Sequence, residues 1–172
     1  MIEKLHAIIR TADRFDVKQL FHFYMQEPIH ASLLDAKREP LMPNISELEE
    51  LLLSKDAAQS FYTVENKQGD IQGFVILKGV NPEVMFAEII LLFNNDIYEE
   101  NKLLVEEALE FIETKAFQQL HLRKIITTCL DDEKNLHTFL SQHSYQCEGV
   151  MREVLFTTGK WHNLETWAKF NF

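Results

Sequence analysis

The chain has 172 residues and a formal net charge of −10, with 17 basic side chains against 27 acidic. That balance makes nucleic acid and anionic lipid unfavourable partners, because the average field repels a polyanion. A hydrophobic content of 46% excludes a disordered chain, and no run reaches the ~18 uninterrupted apolar residues of a membrane span.

Ala7 to Arg10 reads as a short apolar strand. Asp13 and Asp16 follow it, placed to cap a helix over about Arg14 to Glu27 in which Val17, Leu20, Phe21 and Tyr24 recur at helical spacing and which Pro28 ends. Ile29 to Pro43 has mixed polarity and reads as a long loop or frayed helix. Asn44 and Glu47 form a capping-box pattern that opens a second helix to about Leu53. From Ser60 the hydrophobic period changes to two, so that SFYTVE, the turn NKQGD and IQGFVILKGV make a β-hairpin. VMFAEIILLF is apolar on both parities, the pattern of a central strand covered on both faces.

Glu99 to Phe117 is amphipathic, with Leu104, Ala108, Leu109, Ile112 and Ala116 on one stripe and Glu99, Glu106, Glu110 and Glu113 turned away. KIITTCL, Lys124 to Leu130, is a further strand, parallel to VMFAEIILLF across that helix. Asp131 or Asp132 is expected to cap a helix to about Gln142. YQCEGVMREVLF and KWHNLETWAKF close the chain as two strands joined by TTG. No repeat or linker interrupts the series, so one domain, 1–172, is expected. With an N-terminus that lacks a signal-peptide core, a cytoplasmic location is the expectation. Cys129 and Cys147 stand apart and read as free, buried thiols; the seven histidines show no zinc-ligand spacing, so no metal is expected.

The order of elements resembles the GNAT superfamily of acyl-CoA-dependent N-acyltransferases, and IIRTADRFDVKQLFHF looks like that family's first strand and helix. In the tail, Glu148, Gly149, Arg152, Glu153, Gly159 and Trp161 resemble the branch that acetylates ribosomal-protein N-termini. The resemblance implies an α/β (α+β) fold. It would have a central, mixed, mostly antiparallel seven-stranded sheet, about four flanking helices, and a V-shaped split between strands 4 and 5. It implies acetyl-CoA as cofactor and a small-molecule amine or peptide N-terminus as partner, and it is compatible with a homodimer.

The family's glycine-rich pyrophosphate loop falls here on Tyr98, Asn101 and Leu103, none of which matches the pattern. No glycine lies between Gly79 and Gly149, and Asp96, Glu99 and Glu100 bring carboxylates to that turn, with Lys102 as the nearby cation. The acidic residues suit a self-capped helix N-terminus. The family's tyrosine acid aligns with Leu140, its helix-start asparagine near Glu133, and an aspartate after the Gly-x-Trp turn with Asn163.

Acyl transfer to an amine needs a proton acceptor and donors for a developing oxyanion. Glu88, in an apolar strand where burial would raise its pKa, is the candidate base, and His162 is a second candidate. Glu165 and His30 are candidate acceptor-binding residues. Leu91, Leu92 and Phe93 offer backbone to the pantetheine arm, with Tyr98, Asn101, Lys102, Leu103 and Lys134 as the remaining cofactor candidates. The alternative is a non-catalytic GNAT-like module for binding or dimerisation, to which the departures at the loop and at the tyrosine position point.

Overall fold

A computed structural model describes residues 1–26, 44–53, 59–94, 96–157 and 159–171. The expected loop from Ile29 to Pro43, and His30 with it, lies outside them. Among the described residues eight strands form one sheet: β1 (Ile2–Glu3), β2 (Ile8–Thr11), β3 (Ser60–Glu65), β4 (Ile71–Asn81), β5 (Phe86–Phe93), β6 (Lys124–Leu130), β7 (Gln146–Thr157) and β8 (Lys160–Phe170). Their spatial order is β1-β2-β3-β4-β5-β6-β8-β7, antiparallel throughout except for the parallel pair β5/β6. The strand beyond the expected seven is β1, whose two residues pair with Ile8 and Ile9 and are too few to show any period.

Side-chain alternation along β5 divides the core between two faces. Ile89, Leu91 and Phe93 pack on α4 (Lys102–Glu113) and α5 (Lys134–Gln142) through Leu104, Val105, Leu109, Ile112, Leu136 and Phe139. Ile90 and Leu92 point the other way, onto α1 (Val17–Gln26) and α2 (Ile45–Leu53) through Leu20, Phe23, Leu48 and Leu52. This is why FAEIILLF carries apolar residues on both parities.

Local chemistry sets the boundaries. Asp13 and Asp16 form a capping box at a 3-10 turn, Arg14–Asp16, that leads into α1, and Asn44 and Glu47 exchange the same pair of bonds at α2. In the β3/β4 turn Asn66 Oδ1 accepts from the N–H groups of Gln68 and Asp70 while Gly69 takes φ 86°. The expected helix from Glu99 to Phe117 is instead three pieces. A single turn, α3 (Ile97–Glu100), ends where Asn101 leaves helical geometry at φ −138°, ψ 48°; α4 follows, and a π-helical stretch over Thr114–Gln119 closes it. Asp96 makes no side-chain cap, so the first turn is not self-capped. Asp131 and Asp132 do not cap α5 either; both turn to His162, and Glu133 accepts the Leu130 N–H.

Gly73 sets how closely β4 and β5 approach. A Cβ there would lie 2.2 Å from Phe93 Cδ1 and 2.6 Å from the Leu92 carbonyl oxygen. Gly73→Ala is therefore expected to cost about 1–3 kcal/mol, as overpacked cores do, and a lower urea midpoint at unchanged slope would register it. Among the described residues no helix is long and apolar enough to cross a membrane.

Candidate active site

The parallel pair makes the site. β5 and β6 are in register only at Phe86↔Lys124, Ala87↔Ile125 and Glu88↔Ile126. Beyond Glu88 the strands part, and residues 89–93 keep β4 partners on one edge while their other edge has no strand partner among the described residues. A sheet opened this way leaves backbone donors and acceptors facing a gap between two rigid strands.

Glu88 stands at the vertex, on the face that carries α1 and α2. Lys78 of β4 is opposite it in register, and Thr128 Oγ1 of β6 lies 3.5 Å from its carboxylate. Burial pushes the Glu88 carboxyl above its usual range, while Lys78 and Thr128 pull partly back. The result is a carboxylate that holds a proton more readily than a surface glutamate does.

A second opening lies where α3 and α4 face α5. Tyr98, Glu99, Lys102, Asn135, Thr138, Phe139 and Gln142 line a cleft of about 270 Å³. Tyr98 is buried against Phe93 and Phe139, with ring centroids 6.3 and 5.3 Å away. Lys102 Nζ donates to Gln142 Oε1 at 2.6 Å and lies 3.6 Å from Glu106. The Asn101 N–H is already given to the Ile97 carbonyl, Leu103 is exposed, and Lys134 is the first residue of α5. Of the expected cofactor residues, Tyr98 and Lys102 thus meet at this cleft; Leu91, Leu92 and Phe93 form the opened stretch of β5.

His162 and Glu165 occupy opposite faces. His162 is fully buried, its Nδ1 3.1 Å from Asp131 Oδ1 and 3.4 Å from Asp132 Oδ2, and its Nε2 has no hydrogen-bond partner among the described residues. Against a desolvation cost, the Asn163 N–H and the His162 imidazole hold the Asp131 carboxyl below its usual range. Glu165 is paired in register with Cys129, accepts from Trp167 Nε1 at 3.0 Å and lies 3.7 Å from His137 Nε2. The groups Cys129–His137–Glu165 and Asp131–Asp132–His162 each bring their ligand-type atoms within 4.8 Å, and hydrogen bonds already engage His137 with Leu130, Trp167 with Glu165, and His162 with Asp131.

Sequence reasoning missed Lys78, Thr128, Asn135, Thr138 and Gln142. Thr128 had a readable signal, a polar residue inside an apolar strand; the cleft residues needed the packing of α5 on α3.

The Acetyltransferase (GNAT) domain profile matches residues 9–166. The chain belongs to the GNAT acetyltransferase family. No curated protein sequence matches it. Among solved structures, this GNAT chain superposes on the spermidine N-acetyltransferase of Vibrio cholerae in complex with CoA and spermine. The TM-score is 0.77 and the identity 20%, over 95% of each chain. A point mutant of the same enzyme gives 0.80 and 20%, over 95% of this chain and 93% of that one. Its dodecameric form in an intermediate state gives 0.76 and 20% over the same shares. At such identity the likeness is one of fold, and the split of β5 from β6 belongs to that GNAT fold.

Proposed function

We propose that the protein is an acyl-CoA-dependent N-acyltransferase that moves an acetyl group from acetyl-CoA directly to a primary amine, of a small molecule or a peptide N-terminus, with Glu88 taking the proton. The observation that carries this reading is the half-buried carboxylate at the vertex where two parallel strands part. An amine nucleophile arrives as an ammonium and must lose a proton, and an acceptor with a raised pKa is matched to that task near neutral pH.

The residues fit the cofactor in part. The opened edge of residues 89–93 offers the backbone pairing a pantetheine amide needs, and Lys102, Asn135, Thr138 and Gln142 place donors in the adjoining cleft. Asp96, Glu99 and Glu100 occupy the turn without a glycine, so the anion-binding loop is degenerate and Lys102 is the residue that would hold a phosphate there. Acetyl-CoA would supply, when bound, a thioester whose carbonyl carbon is the electrophile and whose C–S bond breaks as the amide C–N bond forms, releasing coenzyme A as a thiolate that takes its proton from solvent. Glu88 orients and deprotonates the ammonium, Lys78 and Thr128 temper its basicity, and His162, held by Asp131, is a second proton acceptor on the same sheet face. Cys129 and the apolar β5 side chains exclude water from the other.

For the acceptor, the net charge of −10 favours a cation. The solved relative that holds spermine supports a polyamine, and the tail motif through Arg152 and Trp161 supports a peptide N-terminus. Competition between spermine and an alanine-terminated peptide for acetylation separates the two. Acetyl-CoA at 100 times its dissociation constant should stabilise the fold by ~2.7 kcal/mol, about 5–10 °C in melting temperature for a chain of this length, and Lys102→Glu should remove most of that shift. No shift at millimolar acetyl-CoA would leave the non-catalytic module as the reading.

A further inference from the structure

Glu88 has a cation for a neighbour. Lys78 of β4 is its partner in register, and side chains opposed in this way across an antiparallel pair leave the backbone about 4.5–5.5 Å apart at Cβ. On the other side of Glu88 the register Glu88↔Ile126 and Thr128↔Thr166 brings Ile126, Thr128 and Thr166 to the same face.

Burial along β6 alternates. Ile125, Thr127 and Cys129, on the face that carries α4 and α5, are at most 2% exposed, whereas Lys124, Ile126 and Thr128 on the Glu88 face are only half-buried. The apolar cluster that α1 and α2 form with the Glu88 face takes in β3, β4 and β5 and, among the described residues, nothing of β6 or β8. A shelf beside the candidate base is therefore left open to a small molecule.

Its charge differs from that of the chain as a whole. Glu88 and Glu148 are matched there by Lys78 and Lys124, so the shelf is neutral and the −10 lies elsewhere. Lys124 Nζ pairs with Glu148 and lies 5.1 Å from the centre of the Phe170 ring, which makes Lys78 the cation nearest the base. A simple ammonium arriving here is drawn to Glu88 and repelled by Lys78. An α-amino acid carries its ammonium and its carboxylate one carbon apart, and so complements both. Phe86 precedes Glu88 by two residues on the same face, and Ile126 stands across from Glu88, so the surface beneath a side chain is apolar.

We propose that the acceptor is an α-amino acid with an apolar side chain, and that Lys78 determines this specificity by pairing with its carboxylate while its amine faces Glu88. The assignment rests on the acyl-transfer reading and adds no chemical step to it. A polyamine, or a peptide N-terminus, has no carboxylate beside the amine.

Acetylation of phenylalanine and of phenethylamine, which lacks only the carboxylate, tests it. Wild type should show a kcat/KM about 10- to 100-fold higher for phenylalanine, Lys78→Met should bring the ratio to within about threefold of one, and Lys78→Arg should keep the preference. A change in Glu88 basicity or in folding acts on both acceptors, so the ratio isolates the carboxylate contact. Phenethylamine or spermine used as well as phenylalanine, or a preference that survives Lys78→Met, overturns the proposal. If wild type acetylates no amine, the transfer reading fails, and calorimetry of the two ligands in the presence of coenzyme A still decides the role of Lys78. Tighter binding of phenylalanine that Lys78→Met abolishes upholds it, and equal binding or none overturns it.

Discussion

Glu88→Gln is expected to lower kcat for acetyl transfer by about 10²- to 10⁴-fold, the usual worth of a positioned proton acceptor, while the acetyl-CoA-induced melting shift stays as in the wild type. Stability should move the other way. A carboxyl whose pKa is raised by folding carries stability that is complete below the unfolded pKa and is lost as pH rises through the folded one. Burial is the main reason for the rise at Glu88, so at pH 8 the native protein bears the cost of an ionised, desolvated group. Glutamine has the same shape and no charge. The variant should therefore melt higher than wild type at pH 8 and equal to it near pH 4, and the wild-type rate should climb with pH along a limb that the variant lacks. A variant that loses activity and stability together would mark Glu88 as a structural residue.

Asp16→Ala is the second large effect, and it acts on the frame. Asp16 is buried and accepts from Arg10 Nη1 and Nη2, each at 2.7 Å, from the Asp13 N–H at 2.8 Å and from Thr63 Oγ1 at 2.9 Å. Arg10 also donates to Glu65 at 2.8 Å, so the network ties β2 and β3 to the turn that launches α1. Burial alone would push the Asp16 carboxyl up; the Arg10 guanidinium and the Asp13 and Thr63 donors outweigh it and hold it low. Removing one member of such a set leaves a partly buried guanidinium short of its partner, at a cost of about 2–4 kcal/mol, or roughly 5–15 °C in melting temperature. For a depressed carboxyl the contribution is present above the unfolded pKa and fades as pH falls through the native one. Melting curves of wild type and variant should therefore differ most near pH 7 and converge in strong acid. Because α1 covers Ile90 and Leu92 next to Glu88, catalysis should weaken only where the fold does.

Much of this frame could be read in advance because its causes are local. Asn66 and Gly69 determine one hairpin turn, Asn44 and Glu47 one helix start, and the two-parity run of β5 its central place with helices on both faces. What escaped reading depended on distant partners. Asp131 and Asp132 look like caps, yet His162 of β8 stands 3.1 and 3.4 Å away and takes both. The helix after β5 looks continuous, yet Asn101 breaks it. Glu88 was legible as an acid in an apolar strand; Thr128 and Lys78, which flank it, come from the two neighbouring strands and meet it only through register. The cleft residues Asn135 and Gln142 likewise became a set only when α5 docked on α3.

The split beyond Glu88 as the seat of acyl transfer is the claim on which the rest depends. A crystal structure of the protein with acetyl-CoA tests it most directly. The account predicts pantetheine lying between β5 and β6, paired with the backbone of residues 89–93, with the thioester beside Glu88 and the nucleotide towards Lys102 and Gln142. Acetyl-CoA bound elsewhere, or a split closed by the protein's own side chains at saturating cofactor, would contradict it.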